Sequence, residues 1–438
     1  MWHPFHECPI SRMKRLLIIS YYWPPTGGSG VQRWVKFSKY LPEFGWQPVV
    51  YTPENPEQLA RDESLLSDVP ECAEVVKTHI FEPYDIYRRL TGAKQGAKAE
   101  INPLNAQKKS LKQKIGVWVR GNFFVPDPRI GWVRPSVKFL KEYLKEHPVD
   151  AIVTTGPPQS MHLIGLGLKK ATGVKWIADF RDPWTEMFYF KHLGLWPLAK
   201  WRHRRFEKEV LDNADGIISV TPLVQADFQK KTSTPVYLIT NGFDEDDFSC
   251  AAQPRTGTFD IVHTGLFASD GNPVNLWDVL AAKCEKDEGF RNRLRIRLAG
   301  KVDEPVVASI RNSILSENLE LLGYLPHKET VALQRSASVL MLPLRQEPEY
   351  RKVLPGKIFE YLAARRPVLG IGQSDGAAAT VLRDTATGDM FDWDNLADVR
   401  AFIDTEWYRF IEGDTAPVGK DIAKYTRKSL TAELVKIL

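Results

Sequence analysis

Cysteine is scarce in this 438-residue sequence: Cys8, Cys72, Cys250 and Cys284 are scattered, with no C-x-x-C spacing. Thiols placed this way supply neither a zinc cluster nor a disulfide framework, and they fit a reducing compartment, here the cytoplasm. Long apolar runs are missing too. Segments such as 16–19 and 368–371 fall far short of the ~20 residues that a bilayer crossing needs, so no transmembrane segment is expected. Residues 1–12 lack the apolar centre of a signal peptide, and Met13-Lys14-Arg15 leads directly into the first expected strand. Two nucleotide-binding signatures are also absent. In the loop Thr26-Gly27-Gly28-Ser29-Gly30-Val31-Gln32-Arg33, Arg33 stands where a dinucleotide-binding G-x-G-x-x-G needs its third glycine, and Tyr51-Thr52-Pro53 offers no carboxylate. No G-K-[ST] follows, which excludes a P-loop.

Charge is nearly balanced overall, with 59 Lys and Arg against 54 Asp and Glu, but it is uneven along the chain. Residues 1–240 hold 34 cations against 24 anions, and the remainder holds 25 against 30. A basic first half suits an acidic partner such as anionic lipid or a phosphorylated acceptor. Nucleic acid is not expected, because the cations lack a recognition fold. Residues 80–135 interleave Lys94, Lys98, Lys108, Lys109, Lys112, Lys114 and Arg120 with Trp118, Phe123 and Phe124. That mixture is what docking on anionic headgroups requires, most specifically over 105–125; a solvated lysine-rich loop with inward-facing aromatics is the competing reading.

What is present is a regular alternation of β-rich runs and amphipathic stretches, the pattern of a parallel sheet wrapped by helices. Strands are expected at 16–20, 48–51, 151–154, 176–179, 216–220 and 236–239, and in a second series at 260–264, 294–299, 319–322, 339–342 and 368–371. The length exceeds one ordinary core, so two Rossmann-like domains are expected, at 13–240 and 241–438.

Chemistry concentrates in Leu354-Pro355-Gly356-Lys357-Ile358-Phe359-Glu360-Tyr361-Leu362-Ala363-Ala364 and the following Arg365-Arg366-Pro367-Val368. Pro355-Gly356 opens a helix whose free N–H groups attract an anion, and Lys357 adds a full charge in the first turn. Glu360 lies one turn on, on roughly the same face, where a carboxylate accepts both hydroxyls of a ribose. The segment therefore reads as a nucleoside diphosphate site, although a helix with Ile358, Tyr361 and Leu362 facing a core occurs in any α/β protein. At the carboxyl edge of the first sheet, Thr154-Thr155-Gly156-Pro157-Pro158-Gln159-Ser160-Met161-His162 and Asp179-Phe180-Arg181-Asp182-Pro183-Trp184 form a polar cluster. Asp179, Arg181 and Asp182 also read as a self-satisfied ion-pair corner.

The run 354–370 resembles the donor motif of retaining GT-B glycosyltransferases that assemble bacterial surface polysaccharides, a family 4-like group, with Arg365 in the place usually held by Gly. Arg181, Asp182 and Trp184 match the family's acceptor-side loop, and Asn241-Gly242-Phe243-Asp244 with Phe248 matches the start of its second domain. The resemblance implies two Rossmann-like domains facing each other across a cleft, and transfer of a sugar from a nucleotide sugar to a saccharide or lipid-linked hydroxyl acceptor, with retention. It implies no metal or other cofactor, and the run Asp244-Glu245-Asp246-Asp247 is expected only to cap a surface turn. The implied site has Asp182, Lys357, Arg345 and His162 as catalytic candidates. Gly28, Gly265, Lys352, Gly356, Lys357 and Glu360 are the candidates for donor binding.

Two departures stand out. The family places two cations after the first strand of the second domain, whereas this chain reads His263-Thr264-Gly265-Leu266-Phe267-Ala268-Ser269-Asp270-Gly271. The position eight before Glu360 is Lys352 rather than Glu. Arg345, Arg351, Lys352 and Lys357 are expected to substitute; a sugar-nucleotide-binding protein without turnover is the alternative. The expected location is cytoplasmic, peripheral on the inner face of the membrane.

Overall fold

The computed structural model describes residues 13–57, 61–81, 111–187, 190, 193–249 and 257–438. It divides into two compact units, Met1–Thr240 with Leu430–Leu438, and Asn241–Ser429.

The first unit is built on β1 (Lys14–Ile19), β2 (Trp46–Pro53), β3 (Glu74–Thr78), β4 (Ala151–Gly156), β5 (Lys175–Phe180), β6 (Gly216–Ser219) and β7 (Val236–Leu238). The spatial order is β3-β2-β1-β4-β5-β6-β7, and every pair is parallel. β4 is buried at every position, because helices cover both faces of such a sheet and its central strands cannot alternate polar with apolar. Two apolar clusters result, one around Trp132, Trp176 and Phe180, the other around Leu16, Ile18, Trp34 and Trp46.

The second unit holds β8 (Phe259–Thr264), β9 (Leu294–Ala299), β10 (Leu319–Gly323), β11 (Val339–Pro343), β12 (Val368–Ile371) and β13 (Gly388–Phe391), also all parallel. Their order, β10-β9-β8-β11-β12-β13, is the doubly wound arrangement of a dinucleotide fold. Its direction reverses between β8 and β11. Ligands of such sheets bind at the carboxyl ends of the strands at that reversal, where Gly265 follows β8 and Leu344-Arg345 follow β11.

Three features differ from expectation. β3 and β13 are additional edge strands: EVVKT alternates half-buried with exposed positions, and GDMF is short and opens with residues of poor β-propensity. The last segment, 430–438, expected in the second domain, belongs to the first unit. The helix Arg427–Ile437 carries Leu430 and Leu434 at i, i+4 into the cluster of Leu16, Ile18 and Trp34.

Candidate functional site

In the second unit the helix Lys357–Ala364 follows the Pro355-Gly356 turn and has no capping side chain. The Lys357 N–H donates to no carbonyl among the described residues, so an acceptor-seeking group stays open at the positive end of the helix. Ile358, Phe359, Tyr361, Leu362 and Ala364 are buried. Lys357 and Glu360, three residues apart on one face, are only half-buried. The helix ends at Arg365, whose φ of 55° and ψ of 40° put it in the left-handed region normally reserved for glycine. Nη2 of Arg365 donates to Gly419 O at 2.9 Å, and its carbonyl accepts from Val418 N at 3.2 Å. These bonds offset a conformational cost of about 1–2 kcal/mol for a non-glycine residue, so Arg365 holds the left-handed turn that a glycine would adopt freely.

The Lys357 ammonium sits over the loop that follows β8. Its Nζ lies 3.3 Å from His263 Nε2 and donates to Leu266 O at 3.4 Å. His263 is fully buried, and its Nδ1 lies 3.1 Å from Met341 O. Nε2 in turn lies 3.4 Å from Leu266 O; carbonyls only accept, so the shorter contact assigns the proton to Nδ1 and leaves the Nε2 lone pair for the lysine, a donor only. Burial, followed by the Lys357 charge, holds the His263 pKa well below the usual value, consistent with this neutral tautomer. Burial lowers Lys357 to about 8, with the nearby Glu360 acting in the opposite direction. Gly265 is favoured by its φ of 93°, in the left-handed region, and not by space, since a Cβ there would only touch Nζ at 3.4 Å. Gly300, at φ 112°, is obligatory: its Cβ would fall 2.4 Å from Gly265 O. The other end of the same loop carries Asp270, whose Oδ2 pairs with Arg345 Nη1 at 2.8 Å. Thus Lys357 and Arg345 flank the 265–271 loop that lacks cations of its own.

The remaining candidates of this unit are less central. Lys352 ends the short turn Pro348–Lys352 and is half-buried. Arg351 pairs at the surface with Asp375 at 2.9 Å. Asp244 Oδ1 accepts from Asp246 N at 3.3 Å and caps the turn Glu245–Phe248, the structural use expected for that acidic run.

In the first unit, Gly28 precedes the helix Ser29–Tyr40 with φ 108° and is exposed. Arg33, which breaks the glycine pattern, is 1% exposed and forks onto Asp179: Nε donates to Oδ2 at 3.1 Å and Nη2 to Oδ1 at 3.0 Å. Trp34 Nε1 and Thr155 Oγ1 also donate to Asp179, at 2.7 and 3.0 Å, and Arg33 additionally donates to Ile239 O and Thr240 O. Asp179 is therefore a structural anchor. Removing one partner of such a pair strands a buried charge, typically at about 3–5 kcal/mol. Arg181 donates to Gly156 O at 3.2 Å, to Gly30 O at 2.5 Å and to Pro157 O, tying three loops together at the carboxyl edge.

Asp182 is different. It is half-buried and accepts no hydrogen bond among the described residues, and burial raises its pKa while the Arg181 charge opposes the shift. The loop that presents it is rigid, because Trp184 Nε1 donates to His203 Nδ1 at 3.1 Å and Thr185 N and Oγ1 donate to Glu207 at 3.1 and 2.7 Å. His162, expected among the catalytic residues, is corrected to a core residue. It is fully buried and stacks on Phe180 at 4.3 Å, and its Nε2 faces Gly156 without a partner. Burial lowers its pKa to about 3, so it stays neutral and is shielded from substrate. His263, Thr264, Tyr361 and Gln334 enter the hydrogen-bond network around Lys357 and Glu360 without having been singled out from sequence. The first three border or lie within the quoted motifs; Gln334 has no local signal.

The family comparisons agree with this geometry. Residues 28–247 match the model of Glycosyltransferase Family 4, and residues 260–404 match that of glycosyl transferases group 1. No curated protein sequence matches the chain. Among solved structures, sucrose-phosphate synthase from Thermosynechococcus elongatus is similar with a TM-score of 0.61 at 14% identity, over 97% of this chain and 98% of that one. The E. coli trehalose-6-phosphate structure bound with UDP-2-fluoro glucose gives a TM-score of 0.59 at 13% identity, over 96% and 98%. WaaG, a glycosyltransferase involved in lipopolysaccharide biosynthesis, gives 0.52 at 14%, over 95% and 99%. At these identities the likeness carries the GT-B fold alone. The match across the first unit carries more, and with it this chain belongs to Glycosyltransferase Family 4 and is a glycosyltransferase.

Proposed function

We propose that the enzyme transfers a sugar, with retention, from a nucleoside diphosphate donor to a hydroxyl of a saccharide or lipid-linked acceptor in cell-surface polysaccharide or glycolipid assembly. The observation that carries the donor side is the pairing of Lys357 and Glu360 on the half-buried face of a largely buried helix at the carboxyl edge of the second sheet. Glu360 takes the ribose hydroxyls. The diphosphate meets the helix N-terminus, with Lys357 and Arg345 on either side of the loop beneath it. In the reaction the bond from the sugar carbon to the diphosphate breaks, the bond to the acceptor oxygen forms, and the acceptor's proton passes to the departing diphosphate. Asp182, with its uncommitted carboxylate, is assigned to hold the acceptor. Support for a uridine donor comes from the UDP-2-fluoro glucose of the similar E. coli structure.

The charge of the diphosphate is met by side chains and helix amides, so donor binding is expected to need no metal. Titration calorimetry with UDP, GDP, ADP and dTDP, with and without EDTA, should give the same affinity in both; complete loss in EDTA would return attention to Asp244 and its acidic neighbours. Sugar transfer by the same preparation separates an enzyme from a protein that only binds the nucleotide.

The acidic partner of the first unit is proposed to be an anionic membrane surface. Lys94, Lys98, Lys108 and Lys109 lie outside the described residues. The described part of the expected patch keeps Arg120 beside its aromatics: Trp118 packs edge-on against Trp196 at 4.7 Å, with Phe123 6.0 Å from Trp118. Phe123, Trp196, Leu198 and Trp201 are 51–65% exposed. The helix Pro197–Asn213 also carries Lys200, Arg204 and Arg205 at exposed positions, with Arg205 5.3 Å from the centre of the Trp201 ring. Large aromatics beside cations are the composition of an interfacial anchor. Among the described residues no helix is long and apolar enough to cross a membrane. Flotation with phosphatidylglycerol vesicles at low salt should carry the protein up and leave a Trp196→Ser, Trp201→Ser variant behind; equal flotation of both would remove the patch from the account.

A further inference from the structure

Gln334, on the helix His327–Ser336, is completely buried. Its Nε2 donates to Thr264 Oγ1 at 3.0 Å and to Glu360 Oε2 at 2.9 Å. A carboxylate only accepts, so the nitrogen of the amide must face Glu360, which fixes the amide's orientation. Its oxygen is buried and has no partner. A half-satisfied buried amide is unfavourable for folding, since its carbonyl has lost water and gained nothing.

The amide is held on a braced platform. Thr264 N donates to Tyr361 Oη at 3.2 Å, and Tyr361 Oη donates to Met341 O at 3.4 Å. Burial pushes the Tyr361 phenol up to about 12, so it remains a neutral donor. β8, β11 and two helices therefore converge on one carboxylate. Glu360 Oε1, by contrast, accepts from no described residue.

We propose that Gln334 is a positioning residue for the donor site: by occupying Oε2 of Glu360 it fixes the carboxylate plane with Oε1 left for the nucleotide, and so sets the preference for ribose over 2′-deoxyribose. This rests on the assignment of Glu360 to the ribose. A carboxylate free to rotate would still attract a hydroxyl, but would lose the fixed geometry on which discrimination between one and two hydroxyls depends.

The test uses the full chain and whichever of UDP, GDP and ADP binds best, together with its 2′-deoxy counterpart. Gln334→Met keeps the side-chain length and removes the donor. The ribose preference, as a ratio of Kd values, should fall about three- to tenfold, while Tm stays near the wild-type value, because removal of the orphan carbonyl offsets the two hydrogen bonds lost from Nε2. In a Glu360→Ala background the same substitution should leave the ratio unchanged. An unaltered ratio in Gln334→Met, with the preference lost in Glu360→Ala, overturns the role of Gln334 and leaves the ribose assignment standing. A preference retained in Glu360→Ala overturns that assignment itself. Failure of both Gln334→Met and Gln334→Leu to fold would also overturn the proposal, by making the amide a requirement of the core.

Discussion

Replacing Lys357 with alanine lowers kcat for sugar transfer by about 100-fold or more, and weakens nucleoside diphosphate binding much less. The asymmetry follows from when the charge is needed. The diphosphate carries negative charge in the ground state, but gains more as the sugar bond breaks, so a preorganised cation is worth most in the transition state; removing one such donor typically costs about 10²–10³ in kcat. Lys357 is preorganised because neutral His263 accepts one hydrogen bond from the ammonium and Leu266 O accepts a second. Burial has already lowered its pKa to about 8. The sign of the pH dependence follows: below that value the free enzyme holds the ammonium, and above it the amine. The Lys357 contribution to kcat/KM, which reports the free enzyme, therefore declines as pH rises through about 8. In Lys357→Arg the cation persists to higher pH, and this falling limb should disappear from the measurable range. Steady-state rates across pH 6–10 for wild type and both variants check each part.

Glu360→Ala acts on the other term. A hydrogen bond to a charged group is worth roughly 1.5–3 kcal/mol, so losing the carboxylate should weaken nucleotide binding by about 10- to 150-fold. The 2′-deoxy nucleotide should lose less, because it makes one fewer of these bonds. Calorimetry with the nucleotide pair separates this from a general loss of fold, which would weaken both equally. Arg345→Ala provides the comparison: Arg345 is paired with Asp270, and if it were the principal phosphate partner its removal would affect binding and rate while the Lys357 and Glu360 variants behaved as wild type.

The central strands were legible because parallel strands covered on both faces are apolar runs, as in Leu16 to Ile19 and Val368 to Ile371. β3 and β13 were not, since edge strands need no such composition. The polar segments at the carboxyl edges of the two sheets were legible wherever the polar residues share one short stretch, as Lys357 and Glu360 do within a single turn. They became illegible where the fold supplies the partner. Gln334 reaches Glu360 from a helix 26 positions earlier, and nothing in its own neighbourhood marks it. Arg33 looked like a defect in a glycine loop, yet it is half of a buried ion pair whose other half lies 146 residues away. His162 misled in the opposite direction: it lies near the carboxyl edge of β4, but on the first turn of the helix Ser160–Thr172, where its ring turns into the core against Phe180.

The central claim is that the nucleotide donor binds at the start of the helix Lys357–Ala364. Thermal unfolding of wild type and a Lys357→Ala, Glu360→Ala variant with UDP, GDP, ADP and dTDP tests it most directly, because a ligand that binds only the native state stabilises it by about 2.7 kcal/mol at 100 times Kd. One nucleotide should raise the wild-type Tm by several degrees and leave the variant, folded and with its own Tm, unmoved. A shift of equal size in both proteins, or none from any nucleotide in wild type, would contradict the assignment.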